Sequence, residues 1–287
     1  MSYQIRELSK NEFPASLLEI PQPPKKLYVA GELPPEGSIL LAVVGSRKYT
    51  SYGADACEKI IEGLSGYPIV IVSGLALGID ALAHKAALKA GLKTLAVPGS
   101  GIDSKVIYPR TNLSLAEEIV EKGGCLLSEY EPDFQASTWS FPARNRIMAG
   151  LSRAILVIEA GERSGTLITA RLATEYNRDV YVIPNGIFSP GSQGSNKLLK
   201  QGAYPITESS DILELLHLKN DSESFQERLP FELSPEEQKV FDMLAEPLPR
   251  DFLIRNCGIS ASDGNTLLSI MEIKGIIIER GGDFRRT

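Results

Sequence analysis

Short, wholly apolar runs alternate with helical patterns along most of the chain, and this alternation limits the possible folds more than any other feature. Strands that are apolar at every position are covered on both faces, as in a parallel sheet flanked by helices. We therefore predict an α/β domain with a doubly wound, mostly parallel sheet. The strand candidates are Ile39–Val44, Ile69–Val72, Thr94–Val97, Cys125–Leu127, Ala154–Ile158 and Val180–Ile183. Helical patterns lie near Gly53–Leu64, Ile79–Ala90, Leu113–Glu121, Asn145–Ala149, Leu167–Tyr176 and Asn196–Gln201.

Proline and capping patterns divide the chain further. The prolines between Pro14 and Pro35 disfavour a regular helix, so we expect residues 1–38 to form an extended arm that packs on the sheet domain, residues 39–218. The polar stretch 219–230 is typical of a linker. In residues 231–287, Ser234, Pro235 and Glu237 form a capping box with proline at the first helical position. The order helix, short helix, helix, strand then predicts a small winged helix-turn-helix domain.

Composition excludes several classes of protein. Hydrophobic residues make up 43% and charged residues 23% of the chain, which is the mixture of a soluble globular protein. No apolar run approaches the roughly 20 residues of a membrane span, and the first residues are too polar for a signal peptide, so we expect a cytoplasmic protein. The cysteines are far apart and the histidines isolated, which predicts neither disulfides nor a metal site. We expect no cofactor.

The net charge of −6 means that any polyanion must bind at a focused pocket. Gly45-Ser46-Arg47 follows the strand candidate Ile39–Val44, and open α/β sheets bind ligands at the carboxyl ends of their strands. A guanidinium beside such a loop suits a phosphate. The plain alternative, a tight turn and a solvated charge, is equally open at this stage.

Two further motifs follow other strand ends. Ser164-Gly165-Thr166 follows Ala154–Ile158 and would present hydroxyl and backbone N–H donors to a phosphate, although helix capping alone would also explain it. Lys197 follows the last strong strand and is expected at the same edge of the sheet. A nearby phosphate could therefore meet donors from both loops.

Aromatic and basic residues are interleaved around residue 141. Trp139 and Phe141 precede the run Arg144-Asn145-Arg146. Single-stranded nucleic acid is bound by this combination of cations and stacking faces. Both aromatic residues could equally be core residues, and His84, which has no catalytic partner in the sequence, is expected to be structural.

Common catalytic signatures are absent from the sequence. It contains no G-x-G-x-x-G after the first strand, no G-x-x-x-x-G-K-[ST], no G-x-S-x-G and no paired-histidine metal motif. Nicotinamide dehydrogenases, P-loop ATPases and serine hydrolases therefore find no support.

The motifs in their order resemble the DNA-processing protein A (DprA/Smf) family over about residues 40–205. They are Gly45-Ser46-Arg47, Ser73–Asp80 with Ala83-His84, Tyr108-Pro109 followed by Asn112, Ser128-Glu129, Phe141-Pro142 with Arg144-Asn145-Arg146, Ser164–Arg171 and Gly194-Ser195-Asn196. The resemblance implies an extended Rossmann-like domain that forms a homodimer and has no catalytic activity. It implies a protein that binds incoming single-stranded DNA during natural transformation (competence), protects it and helps load the RecA recombinase.

The resemblance also implies a DNA pocket. Carried over position by position, it comprises Ser46, Arg47, Arg144, Asn145, Arg146, Ser164, Gly165, Thr166 and Lys197, to which the interleaving adds Phe141. Two departures from the family pattern are expected: the proline-rich arm is short for the small helical domain with which many relatives begin, and Asn185 is an extra residue after the last strand.

The C-terminal unit is expected to meet protein, or its own chain, before DNA. A winged helix that reads DNA carries Arg or Lys on its recognition helix, whereas residues 260–274 offer mainly Ser262, Asp263, Asn265 and Glu272. Residues 229–287 contain 7 basic against 10 acidic residues.

Two other functions remain open from the sequence. Ser164-Gly165-Thr166 echoes part of the Pro-Gly-Gly-x-Gly-Thr loop of nucleoside-monophosphate phosphoribohydrolases, but Arg163 and Ser164 stand where glycines should precede it. Glu175, the nearest downstream acid, is too far along the helix for their catalytic glutamate. A scaffold or nucleotide sensor is the remaining alternative, since such folds host many functions.

Overall fold

The protein is described here by a computed structural model, which covers residues 3–189, 191–218 and 233–286. The chain divides into two compact units, Met1–Lys219 and Asn220–Thr287. The predicted linker, residues 219–230, lies outside the described residues. Within the described ranges, no helix is both long enough and apolar enough to cross a membrane.

A nine-stranded sheet forms the centre of the first unit. Its strands are β1 (Ile5–Glu7), β2 (Tyr28–Gly31), β3 (Ile39–Val44), β4 (Ile69–Ser73), β5 (Thr94–Ala96), β6 (Cys125–Ser128), β7 (Ala154–Val157), β8 (Asp179–Val182) and β9 (Tyr204–Pro205). They lie side by side in the order β1-β2-β6-β5-β4-β3-β7-β8-β9. All neighbours from β6 to β9 are parallel. The predicted doubly wound, mostly parallel sheet is therefore confirmed.

Helices cover both faces of this sheet. They are α1 (Ala15–Leu18), α2 (Ser51–Glu62), α3 (Ile79–Lys89), α4 (Leu113–Glu121), α5 (Ser140–Leu151), α6 (Thr166–Glu175), α7 (Gln193–Lys200) and α8 (Ser209–Leu215). The side chains of β3 point alternately to two cores. Leu41 and Val43 lie in the core shared with α2, α3 and α8, and Ala42 and Val44 lie in the core shared with α1, α5 and α6. Because side chains alternate along a strand, a strand buried on both faces must be apolar at every position, as these are.

The N-terminal segment, predicted as an extended arm, contains two β-strands and a short helix. Residues 28–31 form β2, which pairs antiparallel with β6, and β1 pairs antiparallel with β2. The short helix α1 begins directly after Pro14 and contains no proline, so nothing in it interrupts the helical hydrogen bonds. Leu17 and Ile20 are buried in the core next to α5. The segment thus extends the sheet as well as packing on it.

The direction in which the chain crosses the sheet reverses at β3. From β3 the chain proceeds through β4 and β5 to β6 on one side, and then returns to β7, β8 and β9 on the other. The loops that follow β3 and β7 therefore begin at neighbouring strand ends and lead away from each other. Open α/β proteins bind ligands in the crevice at this kind of reversal, which directs attention to the carboxyl edge of the sheet.

The second unit has the fold of a small winged helix. It comprises α9 (Pro235–Met243), β10 (Leu248–Pro249), α10 (Arg250–Cys257), α11 (Ala261–Ile273), β11 (Ile277–Arg280) and β12 (Asp283–Arg286). The predicted capping box is present: Glu237 N–H donates to Ser234 Oγ over 3.2 Å, and Ser234 N–H donates to Glu237 Oε2 over 2.9 Å. Leu253, Leu268 and Phe284 lie in a core within this unit.

Candidate nucleic-acid interface

An exposed arginine and two aromatic rings meet at the carboxyl edge of the sheet. Arg47 follows β3 and Phe141 lies in the first turn of α5, while Tyr108 precedes α4. The Arg47 guanidinium carbon is 5.8 Å from the centroid of the Phe141 ring, and the Phe141 and Tyr108 centroids are 5.6 Å apart. Among the described residues, no carboxylate forms an ion pair with Arg47. Its charge is therefore available to an anion from solution.

We name this site the Arg47 pocket. It is lined by Arg47, Gly74, Ala76, Leu77, Tyr108, Pro109, Phe141 and Arg144. Its volume of about 30 Å³ holds only one or two water molecules. A ligand as large as a nucleobase would thus lie against the half-exposed ring of Tyr108 and the neighbouring Phe141 instead of being enclosed. Tyr108 was missed as a site residue, because nothing local in the sequence brings it to Phe141.

Arg144 supports the Arg47 pocket from below. It is only 5% exposed, and its Nη1 donates hydrogen bonds to the backbone carbonyls of Gly74, over 2.6 Å, and Val97. Its Nε donates to Asn145 Oδ1 over 3.3 Å. Arg144 and Asn145 were predicted to contact DNA; Arg144 lines the pocket, but its Nε and Nη1 donate to groups within the protein. The DNA contacts predicted for these two residues stay predictions.

A buried carboxylate shares the floor of the pocket with Arg144. Asp80 Oδ2 accepts a hydrogen bond from Gly74 N–H over 3.1 Å. Burial raises the pKa of Asp80, and the positive charge of Arg144 counteracts that rise. Burial also disfavours the charged form of Arg144 and lowers its pKa to about 10. The guanidinium therefore still carries its charge at neutral pH. The backbone of Gly74 lies between the Arg144 guanidinium and the Asp80 carboxylate.

Arg146 is also engaged within the protein. Its Nη2 forms an ion pair with Glu129, and its Nη1 donates to the Gln22 carbonyl over 2.8 Å. The two charged side chains are only 17% and 15% exposed. To reach a phosphate with either Nη group, Arg146 would have to give up one of these internal contacts.

The hydroxyl groups of the two neighbouring loops organise their own turns. Ser46 Oγ accepts from Lys48 N–H over 3.0 Å, and Ser164 Oγ accepts from Thr166 N–H over 3.2 Å. Ser164 Oγ also donates to Thr166 Oγ1 over 2.9 Å. Gly165 is exposed, with open space where a side chain would be. These loops follow β3 and β7, which are adjacent in the sheet, so they lie on the same edge, as predicted.

A buried glutamate fixes the end of the loop that carries Arg47. Glu159 is fully buried just after β7, and its Oε2 accepts from Thr50 N–H over 2.9 Å. Thr50 in turn accepts from Gly53 N–H and so caps α2. No motif in the sequence distinguishes Glu159 from a surface acid, so its burial was not predictable.

Lys197 does not line the Arg47 pocket. It lines a separate groove of about 600 Å³, together with Arg171 and Arg178. The first turn of α7 is at the carboxyl edge, where Gly194 N–H donates to the Ala160 carbonyl. The groove that Lys197 lines is also lined by Gly194 and by Asp179, the first residue of β8.

Fold and site together define a class: an α/β protein with a doubly wound sheet, a cationic and aromatic pocket at its carboxyl edge, and a winged helix later in the chain. The sequence model for "DNA recombination-mediator protein A" matches residues 4–217, and that for the "DprA winged helix domain" matches residues 226–283. The chain belongs to this family of DNA-processing proteins with a role in recombination.

Known relatives agree. Protein Smf of Escherichia coli (strain K12) is 39% identical over 288 residues, covering 96% of this chain and 75% of the relative. DNA processing protein DprA of Streptococcus pneumoniae is 45% identical over 201 residues, or 70% of each chain. An X-ray structure of the S. pneumoniae protein superposes with a TM-score of 0.69 at 43% identity, covering 74% of each chain. A structure of DNA processing protein A from Helicobacter pylori, reported for its single-stranded DNA binding mode, superposes with a TM-score of 0.67 at 33% identity, covering 75% of this chain and 96% of that one.

Proposed function

We propose that this protein binds single-stranded DNA at the Arg47 pocket and catalyses no reaction there. The observation that carries the proposal is an exposed guanidinium beside two aromatic rings on an acidic molecule. Arg47 would contact a phosphate, and Phe141 and Tyr108 would take the face of a base. Every base has such a face, so this arrangement gives affinity with little sequence preference.

The wider role follows from the family. We infer that the protein is a cytoplasmic homodimer that protects incoming single-stranded DNA during natural transformation and helps load the RecA recombinase onto it. The family's description as a recombination mediator and the single-stranded DNA binding of the H. pylori relative support this role. The recombinase step predicts that the protein shortens the lag before RecA hydrolyses ATP on DNA coated with a single-strand binding protein. Sedimentation at several protein concentrations tests the dimer.

The pocket itself is tested by salt dependence. The affinity for a fluorescent oligothymidylate should fall steeply with salt, because each neutralised phosphate contributes roughly −0.7 to the slope of log affinity against log salt. Arg47→Ala should weaken binding and reduce the magnitude of that slope by about 0.7. Lys122→Ala is the matched control: it removes one exposed positive charge at the end of α4, near the opposite edge of the sheet. A flat salt response, or an Arg47→Ala variant that binds like Lys122→Ala, would refute the proposal.

The phosphoribohydrolase alternative gains nothing from the geometry. Glu175 ends α6 and pairs with Arg171 over 3.4 Å at the surface. It lies nine residues after Thr166 in the helix, which at 1.5 Å per residue places it about 14 Å from the loop where the phosphate would bind. That separation is too large for a carboxylate acting on the same nucleotide.

A further inference from the structure

Trp139 lies beside the Arg47 pocket, and the proposed function does not use it. It stands at the start of α5, two residues before Phe141, so the Cα atoms of the two residues are no more than about 7.6 Å apart. Trp139 does not line the Arg47 pocket. Its side chain is nevertheless 58% exposed, unusual for the largest apolar residue in a chain that has only one tryptophan.

A cluster of rings holds Trp139 in place. The rings of Tyr130 and Phe134 stack with centroids 4.5 Å apart, and that of Trp139 meets them at 5.8 and 5.7 Å in edge-type contacts. The cluster is tied to the edge of the sheet, because the Phe134 carbonyl accepts a hydrogen bond from Gly101 N–H over 2.8 Å. A ring ordered in advance loses little conformational entropy when a ligand stacks on it.

The two aromatic groups flank the start of α5. Phe141 contacts Tyr108, whereas Trp139 contacts Tyr130 and Phe134. This separation is expected, because residues two apart on a helix do not face each other. A single strand of DNA that crosses the first turn of α5 can therefore meet both aromatic groups.

We propose that Trp139 is a second stacking platform, which takes the nucleobase next to the one that lies on Phe141 and Tyr108. The inference rests on the proposed function and extends its site from one nucleotide to at least two. Its ligand is a base of single-stranded nucleic acid, recognised through its π-face without regard to sequence. If Trp139 instead only covers Tyr130 and Phe134, its removal affects stability and not the binding of DNA.

The single tryptophan supplies a direct readout. Stacking of a thymine on Trp139 should quench the indole emission, and the quench should saturate at the same oligonucleotide concentration as the anisotropy of a labelled strand. An abasic oligonucleotide of equal length still offers phosphates but no bases, so it should bind more weakly and leave the emission unchanged.

Substitution separates the platform from the phosphate contact. Trp139→Ala should weaken binding of oligothymidylate by roughly 5- to 150-fold, the range for loss of one base–aromatic stack. Its salt slope should equal that of the wild type, because stacking releases no counterions. Trp139→Phe should keep most of the affinity. Phe252→Ala, which removes a comparably exposed ring in the second unit, is the matched control.

The possible failures are distinguishable. If labelled DNA binds with a normal Arg47-dependent salt slope, but indole emission is unchanged and Trp139→Ala binds like Phe252→Ala, the second platform is refuted and the proposed function stands. If Trp139→Ala weakens binding to the abasic and the normal strand equally, the residue does not act by stacking, and the inference is again overturned. If the wild-type protein does not bind single strands at all, the proposed function itself fails.

Discussion

Replacing Arg144 by leucine tests whether this residue supports the pocket from inside. The substitution removes two hydrogen bonds from a charged donor to buried carbonyls, those of Gly74 and Val97. Hydrogen bonds to charged groups contribute roughly 1.5–3 kcal/mol each. It also leaves Asp80 buried without the stronger of two nearby positive charges, since Arg47 acts on it less strongly. Removing one member of a buried charged pair typically destabilises by about 3–5 kcal/mol, so we expect Arg144→Leu to lose about that much unfolding free energy.

The loss should depend on pH because of Asp80. Burial already raises the pKa of Asp80, and removal of Arg144 raises it further. A carboxyl group whose pKa is higher in the folded than in the unfolded protein destabilises the fold once the pH rises above the unfolded pKa, and protonation at lower pH removes that penalty. Arg144→Leu should therefore be more destabilised, relative to the wild type, at about pH 8 than at about pH 5.

Thermal unfolding followed by circular dichroism measures both effects. For a unit of this size, about 1 kcal/mol corresponds to 2–4 °C, so Tm should fall by roughly 6–20 °C near pH 8 and by less near pH 5. Asp80→Asn in the Arg144→Leu background should restore part of the loss, because it removes the unpaired charge. Unfolding free energies within about 1 kcal/mol of the wild type at both pH values would refute the supporting role of Arg144.

Three further predictions address the remaining assignments. Arg146→Ala should destabilise the protein, measured by urea denaturation, by more than the ~0–1 kcal/mol of a surface ion pair, because Glu129 is left largely buried; an effect inside that range would place the pair at the surface. Incubation with AMP should release no free adenine by chromatography, and release that disappears in Ser164→Ala would establish the hydrolase alternative. Deleting residues 220–287 should leave the salt slope of DNA binding unchanged; a shallower slope would show phosphate contacts in the winged helix.

The repeated strands and helices were predictable because burial on both faces leaves a wholly apolar run in the sequence. Boundaries agree closely for β3 and α4. The helical pattern predicts that α5 begins near Asn145, whereas the helix begins at Ser140. Pro142 is tolerated there because it lies in the first turn, where a helix does not use the backbone N–H that proline lacks. It missed β2, which is only four residues long and follows several prolines; tertiary pairing with β6 decides its conformation.

The sequence indicates which loops follow strand ends at the carboxyl edge of the sheet. It does not indicate which of the basic side chains near that edge are exposed and which are buried. Arg47 and Phe141 were both predicted to belong to the DNA pocket, and the Arg47 guanidinium carbon lies 5.8 Å from the centroid of the Phe141 ring. Sequence alone could not distinguish the exposed Arg47 from the buried Arg144, because the same guanidinium serves a phosphate or a backbone carbonyl. Lys197 was predicted at the same edge of the sheet, and it lines a groove separate from the Arg47 pocket.

The antiparallel strands at the N-terminal end of the sheet have a consequence for any shortened version of this protein. Without residues 1–38, the backbone of Cys125–Ser128 would lose its β2 partner and present unpaired N–H and C=O groups along a row of buried side chains. An exposed sheet edge of this kind pairs readily with strands from other molecules. We therefore expect removal of residues 1–38 to promote self-association through β6 and to lower the solubility of the protein.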